Sequence, residues 1–263
     1  MATAFDISPE QRATQLHYFY ANFSSLSRSG GLGLETARQL LDLGCKVILA
    51  LRDEGEGEKG RKDLANGRDL PSGSIQVWKL DHSSYDSIVT FAERAKHLDH
   101  LDITILNAGV FKGSESFSST GYEEGTMGDL YGTTKLLGQL FLTELSKYVS
   151  PSAVTLSCAN PGFCRGSDLA RETHGIVRFI YRIQSYLLSQ TCAVGARTLV
   201  HAVTTLSEQA HGQYIEEAKI QLMAPIVHRP EGLHLAKQLY DETLDELSFA
   251  GARNIVAEIT KSR

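Results

Sequence analysis

The sequence predicts an α/β fold with a doubly wound parallel sheet, on three observations. The runs "CKVILALR" (45–52), "SIQVWKLDH" (74–82) and "LDITILNAG" (101–109) read as buried strands, continuous or nearly so in apolar residues. Segments of helical period alternate with them, which implies a sheet covered on both faces and right-handed crossovers. A glycine cluster at 30–33 opens one of the helices, and in such sheets ligands bind beyond the carboxyl ends of the strands.

Taken in order, the elements start with a helix. Ser8, Pro9 and Gln11 supply an N-cap, a first-turn proline and a third-position amide, and the helix is expected to run through "QRATQLHYFYANF" to residue 23. The second helix, "LGLETARQLLDLG", carries Leu34, Ala37, Leu40 and Leu41 on one face and ends at Gly44. After strands 45–52 and 74–82, "SSYDSIVTFAERAKHL" (83–98) is a helix capped by Ser83 or Ser84. Strand 101–109 ends in a glycine turn. A helix follows at 131–148, then "AVTLSCANPG" (153–162) as a strand, a helix at 194–206, a strand at 212–220 and a closing helix at 230–247. In "HGIVRFIYRIQSYLLSQ" (174–190), Ile176, Phe179, Ile180, Ile183 and Leu187 form an apolar stripe, open to three readings: a lid, a core helix, or a membrane-surface helix flanked by Arg178 and Arg182.

Composition narrows the function classes. The 263 residues are 42% hydrophobic and 22% charged, with net charge −5 and pI about 6.0. There is no basic block for nucleic acid or an anionic membrane surface, and no apolar run of membrane-spanning length. The N-terminus "MATAFDISPEQ" has neither the apolar core of a signal peptide nor the arginines of a transit peptide, so a cytoplasmic location is expected. Cys45, Cys158, Cys164 and Cys192 show no CxxC and no metal spacing, which fits a reducing compartment, plain thiols and no metal site.

The candidate site residues cluster at element ends. Gly30, Gly31 and Gly33 precede a helix, where glycine lets the backbone approach a pyrophosphate and the helix N-terminus offers free N–H groups; a plain glycine turn is the alternative. Arg52 and Asp53 end a strand. An acid there would bind a ribose 2′-hydroxyl and an arginine a 2′-phosphate; Arg52 comes first, which favours the phosphate. Asp81 could accept from an adenine amino group, or merely cap the helix behind it. Asn107, in "LNAG", could line a cofactor or form a turn. Tyr131 and Lys135 lie at i and i+4, one turn apart on one helix face. A cation there would favour the tyrosinate and lower a phenol pKa from its usual value near ~10.

This order of motifs (glycine loop, strand-end Arg, strand-end Asp, Asn-Ala-Gly, Tyr-x-x-x-Lys, Asn-Pro-Gly) resembles the short-chain dehydrogenase/reductase family over nearly the whole chain. "HGQYIEEAKIQ" and "PEGLHLAKQLYDETLDEL" resemble the tail of a fungal, retinol-dehydrogenase-like branch found in secondary metabolism. The resemblance implies a single Rossmann-like NAD(P)-binding domain over 1–263. It implies Tyr131 as proton donor or acceptor and Lys135 as its partner and ribose ligand. It further implies Gly31, Leu32 and Gly33 as the phosphate turn, Arg52 as the reader of NADP, Asp81 at the adenine, Asn107 along the cofactor, and Pro161-Gly162 near the nicotinamide. The implied activity is NADP-dependent oxidation or reduction of a carbonyl or alcohol on a hydrophobic small molecule.

Three departures accompany the resemblance. The family's phosphate loop follows a strand and begins Thr-Gly, whereas Leu26 and Ser27 stand at those positions here. The segment "HYFYANFSS" is the candidate to fill the first strand slot. Gly109 and Tyr131 are 22 residues apart where the family has a helix and a strand, so the sheet is expected to be incomplete and any homo-oligomer weakened. The catalytic serine should lie 12 or 13 residues before the tyrosine; Ser119 and Ser118 have that spacing, but "SFSST" is not a strand end. A non-redox dehydratase or isomerase and a catalytically dead remnant are therefore the rival readings.

Overall fold

The computed structural model describes residues 19–23, 31–109, 129–166 and 189–261, and of these 19–23 and 129–131 by backbone alone. The elements run β1 (Phe19–Phe23), α1 (Leu32–Asp42), β2 (Val47–Leu51), α2 (Glu54–Ala65), β3 (Ile75–Lys79), α3 (Tyr85–Ala95), β4 (Ile103–Leu106) and α4 (Asp129–Leu145). They continue β5 (Ser157–Asn160), β6 (Cys164–Arg165), β7 (Gln190–Thr191), α5 (Cys192–Thr204), β8 (Gln213–Glu216), β9 (Lys219–Gln221), α6 (Pro230–Glu246) and α7 (Ala252–Lys261). Two compact units result. The first comprises residues 1–110, 165–169 and 191–196; the second comprises 111–164, 170–190 and 197–263.

The first unit holds a four-stranded parallel sheet in the order β3-β2-β1-β4. Phe19 pairs with both Val47 and Ile103, and Asn22 with both Ala50 and Leu106. The helix expected from residue 8 to residue 23 is thus corrected for its last five residues. They form a central strand, so Phe19–Phe23 of "HYFYANFSS" fill the first slot. Aromatic residues tolerate either conformation, but β2 and β4 each present a row of backbone groups that only an intervening strand can satisfy. The rest of that expected helix lies outside the described residues.

β2 is buried along its whole length, Val47 through Leu51 at 0–1% exposure, as its unbroken apolar sequence predicts for a strand covered on both faces. α1 buries Leu34, Ala37, Leu40 and Leu41. Its end is a Schellman turn: Gly44, at φ +88, donates to the Leu41 carbonyl at 2.9 Å, and Cys45 to that of Leu40 at 3.0 Å. α2 was not foreseen. "EGEGEKGRKDLA" contains three glycines, which individually disfavour helix, yet Gly57 is needed: a Cβ there would lie 2.4 Å from Val77 Cγ1 and 2.8 Å from Leu51 Cδ2. α3 starts at Ser84, whose Oγ accepts from the Ser87 N–H at 3.3 Å. It lays Ile88, Phe91 and Ala95 over Trp78, with the Phe91 ring edge-on at 5.5 Å and Arg94 stacked 4.0 Å from the indole centroid.

The second unit holds the sheet β5-β8-β9, with β5 and β8 parallel and β9 returning antiparallel. The hairpin turns on Glu217 and Ala218, both at positive φ (50° and 59°), the two-residue geometry that matches strand twist. α4 packs against α6 through a core containing Leu140, Leu142, Met223, Val227 and Ala236. Tyr148 stacks on Tyr240 at 4.9 Å, and the buried Glu144 accepts from Tyr148 Oη at 3.1 Å. The His211 ring ties the strand start to the helix end, accepting from the Leu156 N–H at Nδ1 (3.3 Å) with Nε2 3.1 Å from the Ser146 carbonyl oxygen.

Among the described residues no strand lies between β4 and β5. Among the described residues β4 is the edge of its sheet, and Leu106 at its end is 77% exposed. An exposed apolar edge invites pairing with another chain. We expect Leu106→Lys to reduce aggregation of the purified chain, measured by light scattering during heating, and to leave the melting temperature unchanged, because surface substitutions usually shift stability by no more than ~0.5 kcal/mol.

Candidate functional site

Because β1 to β4 run parallel, their carboxyl ends lie along one edge of the sheet, and the residues that follow them are brought together there. Gly31 is the N-cap of α1, the helix that follows β1, with Leu32 and Gly33 in its first turn. Arg52 follows β2, Asp81 lies two residues beyond β3, and Asn107 follows β4. These six residues share the first unit. Tyr131 and Lys135 lie on α4 of the second, so the two groups are described separately. Ser118, Ser119 and the stripe from Ile176 to Leu187 lie outside the described residues.

The helix starts along this edge differ in one respect. α2 is capped by Asp53, whose Oδ1 accepts from the Gly55 and Glu56 N–H groups at 2.8 and 3.3 Å, and α3 is capped by Ser84. α1 begins at a glycine and receives no side-chain cap among the described residues. Its first-turn N–H groups and the positive end of its dipole are left for an anion.

Arg52 and Asp53, adjacent in sequence, are likewise separated by structure. The Asp53 carboxylate is committed to its helix. Arg52 is exposed and forms no ion pair among the described residues, although its charge reaches Asp81. Asp81 is not the helix cap. Its Oδ1 accepts from the Ser83 N–H at 3.0 Å and the Ser83 hydroxyl at 2.6 Å, and these bonds, opposed in part by burial and aided by Arg52 and His82, hold its pKa below the ordinary aspartate value. Burial lowers that of His82.

On α4 the backbone puts Tyr131 and Lys135 one turn apart. Lys135 is exposed, and its ammonium acts on Cys158 of β5, whose thiol pKa burial nevertheless raises. At the end of β5, Asn160 donates to Tyr214 Oη at 2.9 Å and Glu216 Oε1 at 2.7 Å and accepts from the Gly162 N–H at 2.9 Å. This fixes the Pro161-Gly162 turn. No local sequence signal marks that network, because it depends on β5 pairing in register with β8. None of the four cysteines forms a disulfide among the described residues; burial pushes Cys45 up to about 11. Among the described residues no cluster could hold a metal ion, and no helix is long and apolar enough to cross a membrane.

A short chain dehydrogenase family model matches residues 27–124, the span that carries the glycine turn and the strand ends. The short-chain dehydrogenase fogG of Aspergillus ruber is 40% identical over 348 aligned positions, covering 99% of this chain and 100% of that protein. The short chain dehydrogenase/reductase mfmJ of Annulohypoxylon moriforme is 33% identical, covering 86% and 84%. The chain belongs to the short-chain dehydrogenase/reductase family. Among solved structures, a variant of actinorhodin polyketide ketoreductase with NADPH superposes with TM-score 0.56 at 15% identity, covering 76% of this chain and 95% of that one, which supports the Rossmann-like fold. The alignment with fogG has 348 positions against 263 residues here, leaving at least 85 with no counterpart in this chain.

Members of the family bind a nicotinamide dinucleotide. The residues at the strand ends fit the adenosine and phosphate portion of such a group: uncapped N–H donors for a pyrophosphate, an open guanidinium, and a carboxylate with one unoccupied face.

The capping geometry yields a test. Asp53→Ala is expected to cost about 1 kcal/mol of stability by chemical denaturation, the usual value of an N-cap. It should leave the preference between NADP and NAD unchanged in a binding titration. A shift in that preference would assign Asp53 to the ribose.

Proposed function

We propose that this chain is an NADP-dependent oxidoreductase acting on the carbonyl or alcohol of a hydrophobic small molecule, in fungal secondary metabolism and in the cytoplasm, with both units belonging to one dinucleotide-binding domain. The observation that carries the cofactor choice is the division of labour after β2. Asp53, which would select a ribose 2′-hydroxyl, caps α2, and Arg52, which would accept a 2′-phosphate, is exposed and forms no ion pair among the described residues. Gly31, Leu32 and Gly33 would take the pyrophosphate, Asp81 the adenine amino group, and Asn107 the side of the dinucleotide.

When bound, the cofactor supplies or accepts the hydride. The protein's part is the proton: Tyr131 would exchange it with the substrate oxygen, and Lys135 would favour the tyrosinate and hold ribose hydroxyls. The relatives carry the same family name, and the fungal sources of fogG and mfmJ agree with the branch that the C-terminal motifs resemble.

A second reading, a remnant that binds cofactor without turnover, has its own support. At least 85 aligned positions of fogG are absent here, and the span from Gly109 to Tyr131 is short where the family carries its catalytic serine. A family member without that serine lacks a donor to the substrate oxygen.

The first outcome below tests the cofactor choice, and the second separates the two readings. Arg52→Ala should narrow the affinity gap between NADP(H) and NAD(H) by roughly tenfold, as loss of a charge-assisted hydrogen bond implies; equal affinities in the unsubstituted protein would count against Arg52 as phosphate reader. Tyr131→Phe should reduce turnover by at least ~100-fold while cofactor affinity is kept, the low end for loss of a general acid. Cofactor binding with no turnover of any hydrophobic carbonyl in either protein would favour the remnant.

A further inference from the structure

The turn between β3 and α3 is held by serines. Ser83 gives two donors, N–H and Oγ–H, to a single oxygen of Asp81, Oδ1, at 3.0 and 2.6 Å. The backbone N–H of Asp81 donates to Ser87 Oγ at 2.9 Å, and the N–H of Ser87 donates to Ser84 Oγ at 3.3 Å. The carboxylate is therefore fixed at one oxygen, and its backbone is fixed to the first turn of α3. The other oxygen, Oδ2, meets no donor among the described residues.

A carboxylate so held presents a single acceptor in a set direction. The two Ser83 hydrogen bonds, with the nearby Arg52 charge, favour its ionised form, so Oδ2 accepts and does not donate. Beyond the carboxyl ends of parallel strands, an acceptor of this kind suits a ring carrying an exocyclic amino group. A ring with a carbonyl at the same place would set two acceptors against each other.

We propose that Ser83, with Ser87 behind it, is a positioning residue that fixes Asp81 so that the site distinguishes an aminopurine dinucleotide from its oxopurine counterpart, adenine from hypoxanthine. This rests on the cofactor reading above and adds to it the residues that set base selectivity. The serines touch no nucleotide; they act by denying the carboxylate rotation. With the Ser83 hydroxyl lost, only the backbone N–H still holds Oδ1, so the carboxylate is less firmly oriented and Oδ2 is less well aimed at an amino group.

The test uses the full chain and two probes, NADPH and its hypoxanthine analogue, with affinities read by titration of nicotinamide fluorescence. The unsubstituted protein should prefer NADPH by at least ~10-fold, since a site built around one hydrogen bond rejects the analogue that cannot make it. Ser83→Ala should reduce that ratio several-fold by weakening NADPH and not the analogue, and Ser83→Thr, which keeps the hydroxyl, should restore it. A merely structural serine would weaken both probes equally. Equal weakening, an unchanged ratio, or no preference in the unsubstituted protein would overturn the proposal. Should Ser83→Ala fail to fold, Asp81→Asn gives the same reading: its amide can donate to a carbonyl, so the ratio should fall, and an unchanged ratio would overturn the proposal. If neither probe binds the unsubstituted protein while it remains folded, the cofactor reading itself falls, an outcome distinct from binding without base preference.

Discussion

β1 is hydrogen-bonded along both edges, and β2 and β4 have no other way to share a sheet. A parallel strand carries N–H and C=O groups on both sides, and a gap at its position would leave two rows of them unmet. Placing Phe19 to Phe23 there satisfies both rows at once. It also aligns the ends of four strands, so that the residues following them meet along one edge. The glycine turn, Arg52, Asp81 and Asn107 are distant in sequence, and only the β3-β2-β1-β4 order puts them together. Every functional statement about the first unit depends on that ladder.

The same constraint explains which elements could be read from the sequence. β2 has an unbroken apolar run because both of its faces are covered, and α1 announces itself by the spacing of Leu34, Ala37, Leu40 and Leu41 and by Gly44. These signals are local. The identity of β1 is not: "HYFYANF" follows a good helix start, and its strand character comes from the two strands that it joins. α2 is hidden for the opposite reason, since Gly57 is set by close approach to Val77 and Leu51 and not by helix preference. The site divides similarly. Arg52 could be located at a strand end, but its freedom relative to Asp53 depended on which side chain capped α2. For Asp81, cap and ligand were equally open until Ser84 took the cap and Ser83 took one oxygen.

The polar residues of the second unit follow a different logic. Glu144 is buried with Tyr148 and Lys147 as partners, and Asn160 is held by Tyr214 and Glu216. Buried or half-buried polar groups are tolerated when each is matched, and here the partners come from the helix's own next turn or from the paired strand. The network around Asn160 leaves the Pro161-Gly162 turn rigid at the end of a parallel strand, the same kind of location that gathers the candidate residues in the first unit.

On the proposed reading, binding and turnover draw on different parts of the chain. The groups that would hold the adenosine and phosphates, Gly31 to Gly33, Arg52, Asp81 and Asn107, follow β1 to β4. The short span between Gly109 and Tyr131 is where the family resemblance would put the strand that carries a serine beside Tyr131. Interactions that bind substrate and transition state alike affect affinity, whereas those made only in the transition state affect rate. A chain that retains the first set while losing part of the second would keep its cofactor affinity and lose rate first. Cofactor affinity and carbonyl turnover are therefore separate questions for this protein, and an absence of activity would leave the strand-end site intact as a dinucleotide-binding surface.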